Sequence, residues 1–91
     1  MVKVRVASQA DGWVCEVSVE HEGEFSEHTV AVSPQDLARW GQGAGPEAVE
    51  DLVARSFAFL LEREPPTSIL RRFDLSVIRR YFPEYDQQFK R

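Results

Sequence analysis

The sequence predicts an α+β fold: a three-stranded antiparallel β-meander with one face covered by a short helix, a long helix and two short C-terminal helices. Three observations predict it. Apolar and polar residues alternate through the first third of the chain. The spacing then turns helical, after the strong helix start Ser33-Pro34-Gln35-Asp36. Finally, Pro65, Pro66 and Pro83 cut the remainder into short pieces.

The meander spans 2–32. Val2, Val4 and Val6 alternate with Lys3 and Arg5. Trp13, Cys15, Val17 and Val19 form a second alternating set, and His28, Val30 and Val32 a third. This period marks a half-buried antiparallel sheet. A turn centred on Gln9-Ala10 sets Val6 opposite Trp13, Val4 opposite Cys15 and Val2 opposite Val17. A turn centred on Glu22-Gly23 sets Trp13 opposite Val32, Cys15 opposite Val30 and Val17 opposite His28. Both hairpins then gather their apolar residues on one face, and a one-residue slip in either would scatter them. The other face, with Lys3 opposite Glu16, is expected to be wet.

The helical part spans 34–82. Ser33 caps the first helix, Pro34 suits its first position, and Asp36 lies near its positive end. Val32 and Leu37 have the spacing of a hydrophobic staple. Gly41-Gln42-Gly43-Ala44-Gly45 ends this helix after Trp40. Pro46 opens a longer helix to about Glu64, with Val49, Leu52, Val53, Ser56, Phe57 and Leu60 on one stripe. Phe59 and Leu61 fall off that stripe, so this end of the helix is expected to touch two partners. Thr67 is expected to cap a short helix through about Phe73. Asp74 is expected to cap another, which gathers Leu75, Ile78, Tyr81 and Phe82 on one arc and ends at Pro83. Residues 84–91 read as a tail, pinned by Tyr85.

Composition bounds the class. Ninety-one residues, 43% hydrophobic and 29% charged, make one globular domain, 1–91. The longest apolar run, Phe57 to Leu61, is far short of the ~20 residues of a membrane span, so no membrane partner is expected. Charges stand where a signal peptide would be apolar, and one cysteine excludes an internal disulfide, so the cytoplasm is the expected compartment. The net charge of -4 is a sum of unlike parts. Residues 1–62 hold 4 Lys/Arg against 11 Asp/Glu, and residues 63–91 hold 7 against 4, so the nets are -7 and +3. Seven of the ten aromatics also lie between Phe57 and Phe89.

Candidate chemistry is sparse. Cys15 and His21 are six residues apart on one strand, ~20 Å, and His21 and His28 are ~13 Å apart. Zinc ligands all sit ~2 Å from one ion, so no metal site is expected from these three. A catalytic thiol needs access and a low pKa, whereas Cys15 falls mid-strand on the covered face. The glycine-rich run 41–45 follows a helix and lacks the Lys-Ser/Thr of a phosphate loop, which makes it a connector. No catalytic residue and no cofactor are expected.

Two function classes remain. Aromatics and arginine together are the composition of interface centres. They predict a non-enzymatic protein-interaction or assembly module, with a protein partner or a homodimer. The candidate interface residues are Phe59, Tyr81, Phe82 and Tyr85. The alternative is a nucleic-acid-binding regulator. Two short helices around a tight turn permit a helix-turn-helix reading, with Arg79 and Arg80 facing the nucleic-acid groove and Arg71 and Arg72 on phosphates. It ranks second because the last helix is mostly apolar plus arginine.

The run FLLEREPPTSILRRFDLSVIRRYFPEY resembles the C-terminal signature of a group of short uncharacterised bacterial proteins of about this length. The resemblance extends from about Thr29 to Tyr85 and is most specific from Phe57 onward. It implies that this segment is a defined unit, and it brings no activity, ligand or site residue with it.

Overall fold

The computed structural model describes residues 1–90 and joins a four-stranded mixed sheet to four helices. The strands are β1 (Val2–Gln9), β2 (Gly12–His21), β3 (Glu24–Val32) and β4 (Arg72–Asp74), in that order across the sheet. The helices are α1 (Pro34–Trp40), α2 (Pro46–Leu61), α3 (Val77–Tyr81) and α4 (Glu84–Phe89), and a single 3-10 turn, Pro66–Ser68, precedes β4.

The second hairpin has the expected register, with Trp13 opposite Val32, Cys15 opposite Val30 and Val17 opposite His28. Its turn residues Glu22 and Gly23 both take positive φ, 51° and 83°, the twist that suits a two-residue hairpin. The first hairpin is displaced by two residues from expectation. Val6 faces Cys15, Val4 faces Val17, Val2 faces Val19, and Arg5 rather than Lys3 faces Glu16. Gly12 explains the displacement. It opens β2 at a φ of 138°, and a Cβ there would collide with the Val32 carbonyl, so the turn falls on Ala10-Asp11. A shift of two keeps every side chain on its face, so the apolar face survives.

The fourth strand corrects the expected three-stranded meander and the expected helix from Thr67 to Phe73. β4 runs parallel to β3, with Val30 opposite Phe73. The Thr29 N–H donates to the Arg71 carbonyl at 2.7 Å, and the Leu75 N–H donates to the Ala31 carbonyl at 2.9 Å. Phe73 and Leu75 are buried, while Arg72 and Asp74 are exposed. A parallel neighbour needs a long crossover, and α1 with α2 provides it.

Ser33 caps α1 through a reciprocal capping box: its hydroxyl accepts from the Asp36 N–H at 3.0 Å, and the Asp36 carboxylate accepts from the Ser33 N–H at 3.1 Å. Along α2 the stripe Val49, Leu52, Val53, Ser56, Phe57 and Leu60 is buried. The Phe57 ring centre lies 5.2 Å from that of His28 and 6.2 Å from that of Phe73. The off-stripe residue Phe59 does meet a second partner, which is α4.

Residues 84–91 are therefore not a tail through 89, and Arg91 lies outside the described residues. Tyr85 stacks on Phe89 at 4.3 Å and meets Phe59 and Trp40 edge-on at 5.3 and 5.1 Å. Ser56 donates its hydroxyl to the Leu52 carbonyl at 2.7 Å, so the Tyr85 hydroxyl is the donor in its own 2.7 Å bond to Ser56. Asp86 anchors the same helix. It accepts from Arg39 at 2.7 and 3.1 Å and from the Trp40 indole N–H at 2.8 Å. Among the described residues no helix is long and apolar enough to cross a membrane.

Candidate functional site

One apolar groove stands out on this scaffold. It has a volume of about 340 Å³ and lies between the C-terminal end of α2, the stretch leading into β4, and α3. Leu60, Ile69, Phe73 and Ile78 form its buried floor. Leu70 and Tyr81 stand at its rim, 48% and 66% exposed, with Val77 and Phe82 half-buried between. That exposure is the informative observation, because the other aromatics of the C-terminal third are buried or half-buried. Glu64 and Ser68 supply the polar lining.

The backbone of the rim is held from the sheet. His28 is buried, and its Nδ1 lies 2.7 Å from the Leu70 carbonyl while its Nε2 lies 2.7 Å from the Ser26 hydroxyl. A carbonyl only accepts, so Nδ1 carries a proton, and in the neutral ring Nε2 accepts from Ser26. With Leu70 fixed by its carbonyl and Ile69 turned into the core, the Leu70 side chain faces out. On the opposite wall, Val77, Ile78 and Tyr81 share one side of α3, which ends where the Phe82 N–H donates to the Ile78 carbonyl at 2.8 Å.

Charge is unevenly placed around these elements: Arg79 and Arg80 line a separate hollow with Asp36, Arg39 and Trp40, and Arg72 stands on the open sheet face in register with Thr29. Arg71, Arg72, Arg79 and Arg80 are all exposed, and among the described residues none has a carboxylate within 4.0 Å. Arg39, Arg55 and Arg63, elsewhere on the helical side, pair with Asp86, Asp51 and Glu84. Arg63 also lies 3.5 Å over the Phe59 ring. Glu64 forms no ion pair among the described residues, and partial burial raises its carboxyl above the usual range.

The predicted interface residues divide. Tyr81 and Phe82 line the groove. Phe59 and Tyr85 are buried within the chain, 4% and 0% exposed, because α4 folds back over them, so they belong to the core. Of the predicted nucleic-acid contacts, Arg72 sits on a strand and Arg71 just before it, while Arg79 and Arg80 lie on a helix of five residues. No pair of helices spans 67–82, so a helix-turn-helix is absent there. Sequence reasoning passed over Leu70, Val77 and Glu64. The adjacency Ile69-Leu70 was the available signal, because two neighbouring large side chains rarely both reach one core.

Cys15 lies on the covered face of the sheet and is fully buried. Burial first, then the Glu16 and Glu50 charges, push its thiol up to about 11, the opposite of an activated nucleophile. His21 lies 3.7 Å from the Glu22 carboxylate. Among the described residues no three of His, Cys, Asp and Glu gather as metal ligands. In comparison with known proteins, the chain matches no family model, no curated protein and no solved structure.

Proposed function

We propose that this chain is a non-enzymatic protein-interaction module that receives an apolar segment of a partner in the groove between α2 and α3. The observation that carries this reading is the exposure of Tyr81 and Leu70 over a floor that is otherwise apolar and closed. Apolar lining with few polar groups is the usual make-up of a binding cleft, and ~340 Å³ is at the small end of such clefts. A large aromatic at the rim can anchor a partner at little entropic cost, having few rotatable bonds. The expected place of work is the cytoplasm.

A second copy is the weaker occupant. Two identical grooves placed face to face would bring Arg71 of each protomer, next to Leu70 at the rim, toward the Arg71 of its partner. Like charges across an interface cost several kcal/mol, on the order of the whole gain from a small groove. The nucleic-acid alternative keeps one supporting observation, the four unpaired arginines Arg71, Arg72, Arg79 and Arg80.

Selection from a displayed library of 16-residue random peptides tests the proposal. The expected result is enrichment of peptides with apolar anchors whose binding is lost in Leu70→Asp/Tyr81→Asp. Both positions are exposed, so the variant should still fold, which circular dichroism checks. Enrichment indifferent to that variant, or none over background, would overturn the reading.

A further inference from the structure

β1 forms one edge of the sheet, and its outer side has no strand beside it among the described residues. Met1 and Glu20 exchange both of their backbone hydrogen bonds, with the Glu20 N–H donating to the Met1 carbonyl at 2.8 Å. Such pairs alternate along an antiparallel ladder, so Lys3 with Ser18, Arg5 with Glu16 and Ala7 with Val14 also bond inward. Val2, Val4, Val6 and Ser8 therefore turn their N–H and C=O groups to the open edge, where no other part of the described backbone takes them. The strand holds no proline, and its register with β2 runs without a bulge. Val2, Val4 and Val6 are only half-buried although they lie on the covered face, and Val2 and Val4 border a hollow with Glu50 and Ala54 of α2. The opposite edge, β4, has three residues and offers far less.

We propose that this edge pairs with β1 of a second copy across a two-fold axis, joining the two sheets into one. A two-fold axis at a shared edge makes the two β1 strands antiparallel. The covered faces must run on into each other, so an even-numbered residue faces an even-numbered one. Charge then selects the register. The open face of β1 carries Lys3 and Arg5 in its first half, and Ala7 and Gln9 in its second. An axis at Lys3, Val4 or Arg5 would set Lys3 against Lys3, Lys3 against Arg5, or Arg5 against Arg5, and like charges directly opposite destabilise a sheet. An axis at Ala7 avoids this but sets Val4 against Ala10, in the turn. An axis at Val6 sets Arg5 opposite Ala7 of the partner subunit and Lys3 opposite its Gln9. On the covered face Val6 then meets Val6, and Val4 meets Ser8. All three present outward backbone groups, so each can exchange both bonds with its opposite. Arg5 keeps Glu16 of its own β2 on its inner side. Basic residues on an edge strand repel most pairings. Here the two that guard the edge admit the strand whose second half is neutral, which is β1 itself. The groove lies by the opposite edge, at Phe73 of β4, so both surfaces can be occupied at once.

Sedimentation equilibrium of the whole chain tests this. Strand pairing alone is a small interface, so the wild-type chain should pass from monomer to dimer between about 10 μM and about 1 mM. Ala7 is exposed and in this register faces Arg5 of the partner subunit, once on each side of the axis. Ala7→Glu should therefore tighten the dimer about three- to tenfold at 50 mM NaCl, and Ala7→Lys should weaken it by a similar factor. Both effects should shrink at 500 mM NaCl. Val6→Pro removes an outward N–H and spares the ladder to β2, so it should abolish the dimer while circular dichroism still shows the sheet. Leu70→Asp/Tyr81→Asp should leave the dimer unchanged. A chain that stays monomeric at 1 mM even with Ala7→Glu would overturn the proposal. A dimer indifferent to both Ala7 variants would overturn it too, since Arg5 would then face something else. A dimer lost in Leu70→Asp/Tyr81→Asp would place the contact in the groove and overturn it as well.

Discussion

His28 Nδ1 lies 2.7 Å from the Leu70 carbonyl, so a buried side chain on β3 holds the rim of a surface groove 42 residues further along the chain. The contact fixes the histidine's tautomer, since the carbonyl cannot donate. Nitrogen NMR should find Nδ1 protonated whenever the ring is neutral. A neutral ring protonated at Nε2 alone would contradict the arrangement. His28→Phe should leave the Leu70 carbonyl without its partner at a cost of about 1–3 kcal/mol in urea unfolding.

The Ser56–Tyr85 pair gives a graded prediction. Tyr85→Phe removes one donor and leaves Ser56 bonded to Leu52, so it should cost about 1 kcal/mol. Tyr85→Ala also empties the space against Phe59, Trp40 and Phe89 and should cost about 3–5 kcal/mol. Equal losses in the two variants would mean that α4 is not packed as described.

Asp86 predicts a response to acid. The Arg39 hydrogen bonds, then that from Trp40, hold its carboxyl well below the usual carboxylate range, and Glu84 is lowered by its own backbone N–H and by Arg63. A carboxyl with a depressed native pKa stabilises the fold above its unfolded pKa, and that contribution drains away as pH falls. Unfolding midpoints should therefore drop from about pH 4 downward. Asp86→Asn should lower stability at pH 7 and flatten the acid limb. An unchanged acid limb in that variant would remove Asp86 as its cause.

Cys15 predicts the opposite limb. Its native thiol is raised from 9.0 to about 11, so its contribution is intact below pH 9 and is lost as pH climbs toward 11. The linkage amounts to about 3 kcal/mol. Native protein at pH 8 should react slowly with a disulfide reagent and quickly once unfolded in urea. Fast labelling of the folded chain would contradict the burial.

Much of this fold is legible in the sequence. Alternation in residues 2–32 gives the strands and their buried face, and the signals at Ser33, Gly41 and Pro46 give α1 and the start of α2, which ends at Leu61 rather than at about Glu64. The failures share a cause. β4 has three residues, too few to show a period, and Ile69 and Phe73 are spaced as on a helix; only the open edge of β3 makes this segment a strand. Likewise α4 has six residues and little intrinsic helix stability, and it forms because Tyr85 and Asp86 find partners on α2 and α1. Both partners are tertiary and lie far away in sequence. The site suffers similarly. Tyr81 and Phe82 are marked by composition, but Phe59 and Tyr85 carry the same mark and are core.

The most direct test of the central claim is an amide NMR titration of the uniformly labelled chain with an apolar-anchored peptide enriched from the displayed library. The account predicts that the largest shifts fall on Leu70, Phe73, Val77 and Tyr81, with the β1 edge and the outer sheet face unmoved. Saturable binding whose shifts fall on β1 or on the outer sheet face, with those four unmoved, would contradict it.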